Sequence, residues 1–334
     1  MNIAFEPLPD ILPAEALTAW HTSCQLSELP DPCCSEPPWV LSYHRAHGNE
    51  RRVLCMQEHG NMVLFAEQRD KETYLVPLES SWLYDRPLLG SDPLPLFFEA
   101  LDCIEATFGP ANFPVIVLGG MAPHHPFSNE LLVNLGHTFA FFLLHESIQC
   151  AASLDGGLDT FLANRSANFR QKLKKACGRA QKAGILFERQ SPTNHEDAHT
   201  CYQRMLAVEQ KSWKGQEHNG ILHPHTTPFY DLLLTQLAIE GKARVIFAQK
   251  DGKDIGFIFG GLSNKIYRGQ QFSYAMDCAA YSIGNILQFE QIKWLCDEGC
   301  VRYDMGPITG EKMAYKAHWT ELRFPLQSWF LRHA

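Results

Sequence analysis

The sequence predicts a mixed α/β protein made of two similarly organised domains, and three observations carry that expectation. The chain has 334 residues, about twice the ~150 of a typical domain. Its 45% hydrophobic and 20% charged content supports ordinary cores and excludes a disordered or collagenous chain. Short β-patterned runs alternate with helical ones, and the order in the first half (hairpin, strand, helix, strand, helix, strand) returns in the later part of the second. The expected division is residues 1–150 and 151–334, each a central mixed sheet flanked by helices, with the main cleft in the second.

The first ~35 residues are rich in Pro and Glu, and Pro30, Pro32, Pro37 and Pro38 mark them as loop or turn. RVLCMQEHG and NMVLFAEQ then read as a hairpin about Gly60-Asn61, and YLVPLE as a further short strand. Leu94, Phe97, Phe98, Leu101, Ile104 and Phe108 fall at helical spacing, and Gly109-Pro110 stops that helix. PVIVLGG reads as a buried strand, SNELLVNLG as a short helix and TFAFFLLHESIQCAASL as a long strand.

The second half opens with a basic helix whose apolar stripe is Phe161, Leu162, Phe169, Leu173, Ala176 and Ala180, closed by Gly184. The strand ILFERQ precedes helices from about His195 to Trp213 and from Pro228 to Glu240. Three strands follow, ARVIFAQK, DIGFIFGGL and IYRGQQFSYAM, turning at Asp251-Gly252 and Ser263-Asn264. A helix from Gly284 to Glu298, the strand VRYDMG, a short helix around Tyr315 and the strand ELRFPLQSWFL complete the chain.

Composition removes several function classes. The densest apolar run, Phe139 to Leu144, has six residues, far short of the ~20 that span a bilayer as a helix. MNIAFEPLPD has no basic stretch leading into an apolar one, so no secretory signal is expected. Eleven cysteines without a CxxC pair read as reduced thiols of a cytoplasmic protein. The formal charge of −8 argues against general nucleic-acid affinity. It is uneven: seven basic and no acidic residues lie between Arg165 and Lys182. Such a stretch meets a phosphate-bearing ligand or is simply a solvated helix face.

Four blocks of the second half stand in a suggestive order: FLANRSANFRQKLKKACGRAQKAG, VEQKSWKG, YSIGNILQFEQIKWLCDEG and YDMGPITGEKMAYKAHW. Together they resemble the CelD/BcsL-type acyltransferases of the Gcn5-related N-acetyltransferase (GNAT) superfamily, which are similar to the Fem peptidyltransferases. The likeness covers roughly residues 155–325; in the first half only the element order supports it. It implies tandem GNAT-like domains and transfer of an acyl group from a thioester, usually acyl-CoA, to an amine.

That chemistry needs an anion site for pyrophosphate, a proton donor for the leaving thiolate and a base for the amine. The resemblance places the anion site at Ser282, Ile283, Gly284 and Asn285, where a helix start offers free N–H groups. The family pattern Q/R-x-x-G-x-G/A is only partly met: Ala279 stands at its first position, Ser282 at the first Gly, and Gly284 matches the second. An ordinary N-cap by Ser282 is the alternative. Tyr315 matches the Tyr that many members use as general acid, although Tyr315 and Trp319 at i and i+4 also read as a packing pair. Glu209 is the first candidate base and Asp304 the second; each reads equally as an ion-pair partner. Trp213 and Lys214 are placed at the substrate entrance, and Lys316 against a phosphate or carboxylate. Alternation puts Arg268, Gln270, Phe272 and Tyr274 on one strand face, a cleft wall. His124-His125, His223-x-His225 and His44-x-x-His47 lack partners at zinc spacing, so no metal is expected. Among the 15 His scattered in loops, a lone one such as His318 is a further candidate base that the sequence does not single out.

Three readings follow: an acyl-CoA-dependent N-acyltransferase, a Fem-like enzyme that takes its acyl group from charged tRNA, and a binding protein that keeps the fold without catalysis. Sugar amines, peptides, lipid precursors and small metabolites are all compatible acceptors.

Overall fold

Prolines organise the N-terminal segment rather than leaving it as loop. The computed structural model describes all 334 residues. It begins with strand β1 (Ile3–Pro7), helix α1 (Ala14–Leu26) and helix α2 (Pro37–His47). Pro37 and Pro38 occupy the first turn of α2, where a missing N–H costs nothing and the fixed φ suits a helix. The reading of the first ~35 residues as loop or turn is corrected, because they hold β1 and the proline-free helix α1, which starts just after Pro13; proline before or at a helix start is punctuation, not interruption.

The hairpin is β2 (Arg52–Glu58) and β3 (Asn61–Arg69), turning through His59 and Gly60, both at positive φ. β4 (Thr73–Val76), the two-residue β5 (Leu88–Leu89), helix α3 (Leu94–Phe108), β6 (Val115–Met121), helix α4 (Pro126–Leu135) and β7 (Phe139–Ser153) follow. Then come α5 (Gly157–Ala163), α6 (Ala167–Lys182), β8 (Leu186–Gln190), α7 (His195–Glu209), α8 (Trp213–Gln216) and α9 (Thr227–Ile239). β9 (Ala243–Lys250), β10 (Lys253–Ser263), β11 (Ile266–Tyr274), α10 (Ile283–Asp297), β12 (Arg302–Pro307) and β13 (Leu322–His333) close the chain. The segment Glu311–His318, which carries Tyr315, is a 3₁₀ helix.

The chain divides into residues 1–148 with 324–334, and residues 149–323. In the first unit β2, β3 and β4 pair antiparallel, α3 crosses over, and β6 pairs parallel with β4. In the second, β9, β10 and β11 pair antiparallel, α10 crosses over, and β12 pairs parallel with β11. The repeated element order is therefore a repeated topology of mixed sheets flanked by helices. The expected second domain, 151–334, loses its last strand to the first unit, because Gln327–Leu331 of β13 pairs with β6. The end of β7 pairs in turn with β12.

The second unit's core fixes α10 and α6 against the sheet. Ile283, Ile286 and Leu287 of α10 pack with Ala176 and Ala180 of α6 and with Ile246 and Ile258 of the strands. Ile283 is fully buried, so roughly 2 kcal/mol of apolar burial pins the first turn of α10 in place. No helix is long and apolar enough to cross a membrane.

Candidate active site

β11 carries a bulge that decides which of its side chains face α10. Phe259 pairs with Gln271 and Gly260 with Gly269, so Gln270 is the extra residue. Cross-strand partners point the same way and neighbours along a strand point opposite ways. Gly269 and Phe272 therefore share one face, Arg268 and Gln271 the other. The expected row Arg268–Gln270–Phe272–Tyr274 is corrected: the bulge splits it, leaving Phe272 and Tyr274 on the α10 side. Arg268 lies buried on the opposite face, against Gly306, whose missing side chain leaves room for the guanidinium. The β11–β12 ladder stops at Arg268 and Asp304, and beyond it lie the cavities.

Two cavities adjoin the start of α10. One, about 510 Å³, is lined by Lys172, Lys175 and Arg179 of α6 together with Phe169, His318 and Trp319. The other, about 380 Å³, is lined by Trp213, Lys214, Phe272, Tyr274, Gln288 and Met313, among others. Ser282, Asn285 and Tyr315 line both. No Asp or Glu lines either one.

α6 supplies the cations through helical geometry. Ser166 caps it by accepting the Phe169 N–H, and its buried ridge is Leu173, Ala176 and Ala180. Lys172, Lys175 and Arg179, three and four residues apart, form the adjacent ridge along the cavity. The sequence singled out this charge run without assigning it a site. Its periodicity, 172–175–179, is the signal that the run presents one face.

The first turn of α10 is open to an anion. Ser282 is left-handed, φ 61°, and its hydroxyl accepts from Arg179 Nη2 at 3.1 Å instead of capping the helix. The N–H groups of Asn285 and Ile286 reach back to the Ser282 carbonyl, and those of Ile283 and Gly284 have no protein acceptor. Two free N–H groups and the helix dipole thus stand beside the cavity that Lys172, Lys175 and Arg179 line, an arrangement whose chemistry suits an anion. Ile283 contributes backbone only, since its side chain is core. A Cβ on Gly284 would stand 3.0 Å from Phe272 and 3.1 Å from Tyr274. Glycine therefore keeps both the rings and the N–H groups where they are.

Tyr315 sits where the cavities meet. Its ring meets Phe272 edge-on at 5.9 Å, while Trp319 packs with Phe161 and Phe169. The alternative reading of Tyr315 and Trp319 as a packing pair is thus not met by their ring contacts, because a 3₁₀ turn does not align i with i+4. Burial pushes the Tyr315 phenol above its ordinary range, and it donates to no protein acceptor. Lys214 Nζ donates to Gln271 Oε1 at 2.9 Å and to the Phe272 carbonyl at 2.8 Å. Burial lowers its pKa while Glu209 opposes that. Lys312 stands 4.6 Å over the Trp213 ring and pairs with Glu217 at 2.9 Å.

The remaining expected residues lie outside both linings. Glu209 is fully buried and accepts from Ser212 Oγ at 2.9 Å and the Ile221 N–H at 3.3 Å. It organises the 209–221 segment. Asp304 is held by Arg302 through two contacts, 2.7 and 2.8 Å. Lys316 is buried and donates to the Pro307 carbonyl at 2.7 Å. Burial, with Arg268 and Lys214 nearby, lowers its pKa to about 8.

Residues 167–317 match the acetyltransferase (GNAT) domain family. No curated protein matches the chain in sequence. Among solved structures it is similar to a conserved protein of unknown function from Bacteroides thetaiotaomicron, with TM-score 0.68 and 12% identity over 99% of this chain and 100% of that one. FemX is similar at TM-score 0.66 and 11% identity over 95% and 96% of the two chains. The C-terminal domain of a putative lysylphosphatidylglycerol synthetase from Agrobacterium fabrum gives 0.59 and 14% over 96% and 93%. At these identities the structures show a shared fold, and the family match supports acyl transfer as the general chemistry. Residues 167–317 thus match the acetyltransferase (GNAT) domain, and the chain shares its fold with FemX along nearly its whole length.

Proposed function

We propose that the second unit transfers an acyl group from acyl-CoA to an amine. The observation that supports this best is the convergence of Lys172, Lys175 and Arg179 with the free N–H groups of Ile283 and Gly284 beside one cavity. A pyrophosphate is the compact dianion for such a cradle. With the phosphates there, the thioester arm runs past Tyr315 into the second cavity.

The amine nitrogen attacks the thioester carbonyl, the C–N bond forms, and the C–S bond breaks on collapse. Nitrogen loses one proton and sulfur gains one. Tyr315 carries that exchange: its phenol protonates the departing thiolate while the phenolate oxygen takes the proton from nitrogen. A phenol above pKa ~10 is a weaker acid than a thiol near ~8.5. The two transfers must therefore be coupled, since donation alone runs uphill. An amine that arrives as ammonium releases one further proton to solvent.

A second reading, acyl transfer from charged tRNA, is favoured by the likeness to FemX and by the basic face of α6. It requires phosphate contacts along an RNA backbone and hence a steep salt dependence. Native mass spectrometry of the protein with acetyl-CoA and, in parallel, with aminoacyl-tRNA tests the proposal. A 1:1 acyl-CoA complex and no tRNA complex at 150 mM salt is the expected result. The converse overturns it.

A further inference from the structure

The second cavity is larger and more apolar than an acetyl group requires. Its apolar wall is made by the rings of Trp213, Phe272 and Tyr274, the Met313 thioether and the Ala279 methyl, with Lys214, Asn285, Gln288 and Lys312 among the polar groups that complete the lining. At about 380 Å³ it holds roughly a dozen waters at ~30 Å³ each, of which an acetyl methyl displaces about one. Water against the two strand rings and the indole is poorly bound, and its replacement there by hydrocarbon is favourable.

The walls are held open by named contacts. The bulge at Gln270 turns Phe272 and Tyr274 towards α10, and Gly284 lets both rings approach the helix without collision. Ala279, in the turn before α10, fills its corner with a single methyl. At the mouth, Lys312 stands over Trp213 and pairs with Glu217. That contact ties the 213–217 segment to the 311–318 segment. Lys214 donates from its ammonium to Gln271 and the Phe272 carbonyl while standing 5.4 Å over the Phe272 ring, so its charge is satisfied at the wall.

We infer that this cavity selects the acyl group, and that the donor carries an apolar chain or aryl group several carbons longer than acetyl. The inference rests on the acyl-CoA reading above, with the phosphates at the start of α10 and the thioester at Tyr315. Trp213, Phe272, Tyr274, Ala279 and Met313 are then specificity-determining residues. Met313, unbranched and polarizable, suits a site that adapts to chain length.

The test is calorimetric titration of the wild-type protein with coenzyme A and with acetyl-, butyryl-, hexanoyl-, octanoyl- and benzoyl-CoA. Each methylene that enters the cavity is expected to tighten binding about fourfold, the equivalent of ~0.8 kcal/mol, until the space is filled. Ala279→Leu, on the exposed side of the turn, shortens the preferred chain; Met313→Ala lengthens it or weakens long-chain binding. The pair keeps the test valid if one variant folds poorly. Coenzyme A binding with acetyl-CoA as tight as octanoyl-CoA overturns the selectivity inference alone. Failure of every CoA species to bind overturns the donor reading beneath it, and the inference with it.

Discussion

Replacing Tyr315 by Phe removes one hydroxyl and keeps the ring. In the folded protein that hydroxyl has no protein partner, while the ring touches Phe272 edge-on at 5.9 Å. Stability is therefore expected to change by less than about 0.5 kcal/mol, as for substitutions that disturb no packing. Coenzyme A affinity should also hold, because the hydroxyl acts on the departing sulfur and not on the bound phosphates. The rate should fall about 10²- to 10⁴-fold, the range of general acid–base catalysis, or roughly 3–5 kcal/mol in the barrier. Tyr315→Ala separates this from packing. It loses the ring as well, at a cost of about 3 kcal/mol or more in stability, with a rate no lower than that of the Phe variant. The assay is thiol release from acyl-CoA with an amine acceptor, with urea unfolding measured beside it. A Phe variant that turns over at the wild-type rate across the pH range removes Tyr315 from the proton path.

Two predictions concern the first unit. The buried Glu79 carboxylate accepts the N–H groups of Ser81 at 2.8 Å, Trp82 at 2.7 Å and Tyr84 at 3.1 Å. Glu79→Ala should destabilise by about 3 kcal/mol or more, since buried donors lose their acceptor, and unchanged urea unfolding contradicts this role. Burial lowers the His44 pKa from 6.5 to about 4, with Arg51 and Arg45 adding to the effect. Because the folded-state pKa is depressed, the stability is present above pH 6.5 and lost as pH falls through 4. The loss totals about 3 kcal/mol at 1.36 kcal/mol per pH unit. His44→Phe should flatten the stability profile between pH 6.5 and 4, and a slope equal to wild type contradicts it.

Much of the fold was legible because hydrophobic periodicity reports burial directly. The β9–β10–β11 strands, α10 and the β2–β3 hairpin follow from alternation, helical spacing and turn residues, although the hairpin turns at His59-Gly60, one residue before the expected Gly60-Asn61. The N-terminal helices were not legible because Pro13 before α1 and Pro37 and Pro38 in the first turn of α2 carry the same signal at a helix start as in a loop. The pairing of β13 with β6 and of Gln149–Ser153 with β12 was hidden because strand pairing is non-local. At the site, Tyr315, Ser282, Gly284, Asn285, Trp213, Lys214 and Tyr274 come together around the two cavities. The face of Arg268 was misread because one extra residue, Gln270, reverses alternation without changing composition. Glu209 and Asp304 look identical to catalytic carboxylates in sequence; only their hydrogen bonds show them occupied elsewhere. The role of α6 was half visible, as charge without a face.

The central claim is that the α6 cations and the first turn of α10 form one donor-phosphate site. Its most direct test is the calorimetric affinity of coenzyme A for the wild type and for the triple variant Lys172→Gln/Lys175→Gln/Arg179→Gln. These side chains are exposed, so each contributes about 0.5–1 kcal/mol. The triple variant is expected to bind about 10- to 100-fold more weakly, to lose most of the salt dependence and to unfold at the wild-type urea midpoint. Unchanged affinity in the folded triple variant contradicts the claim.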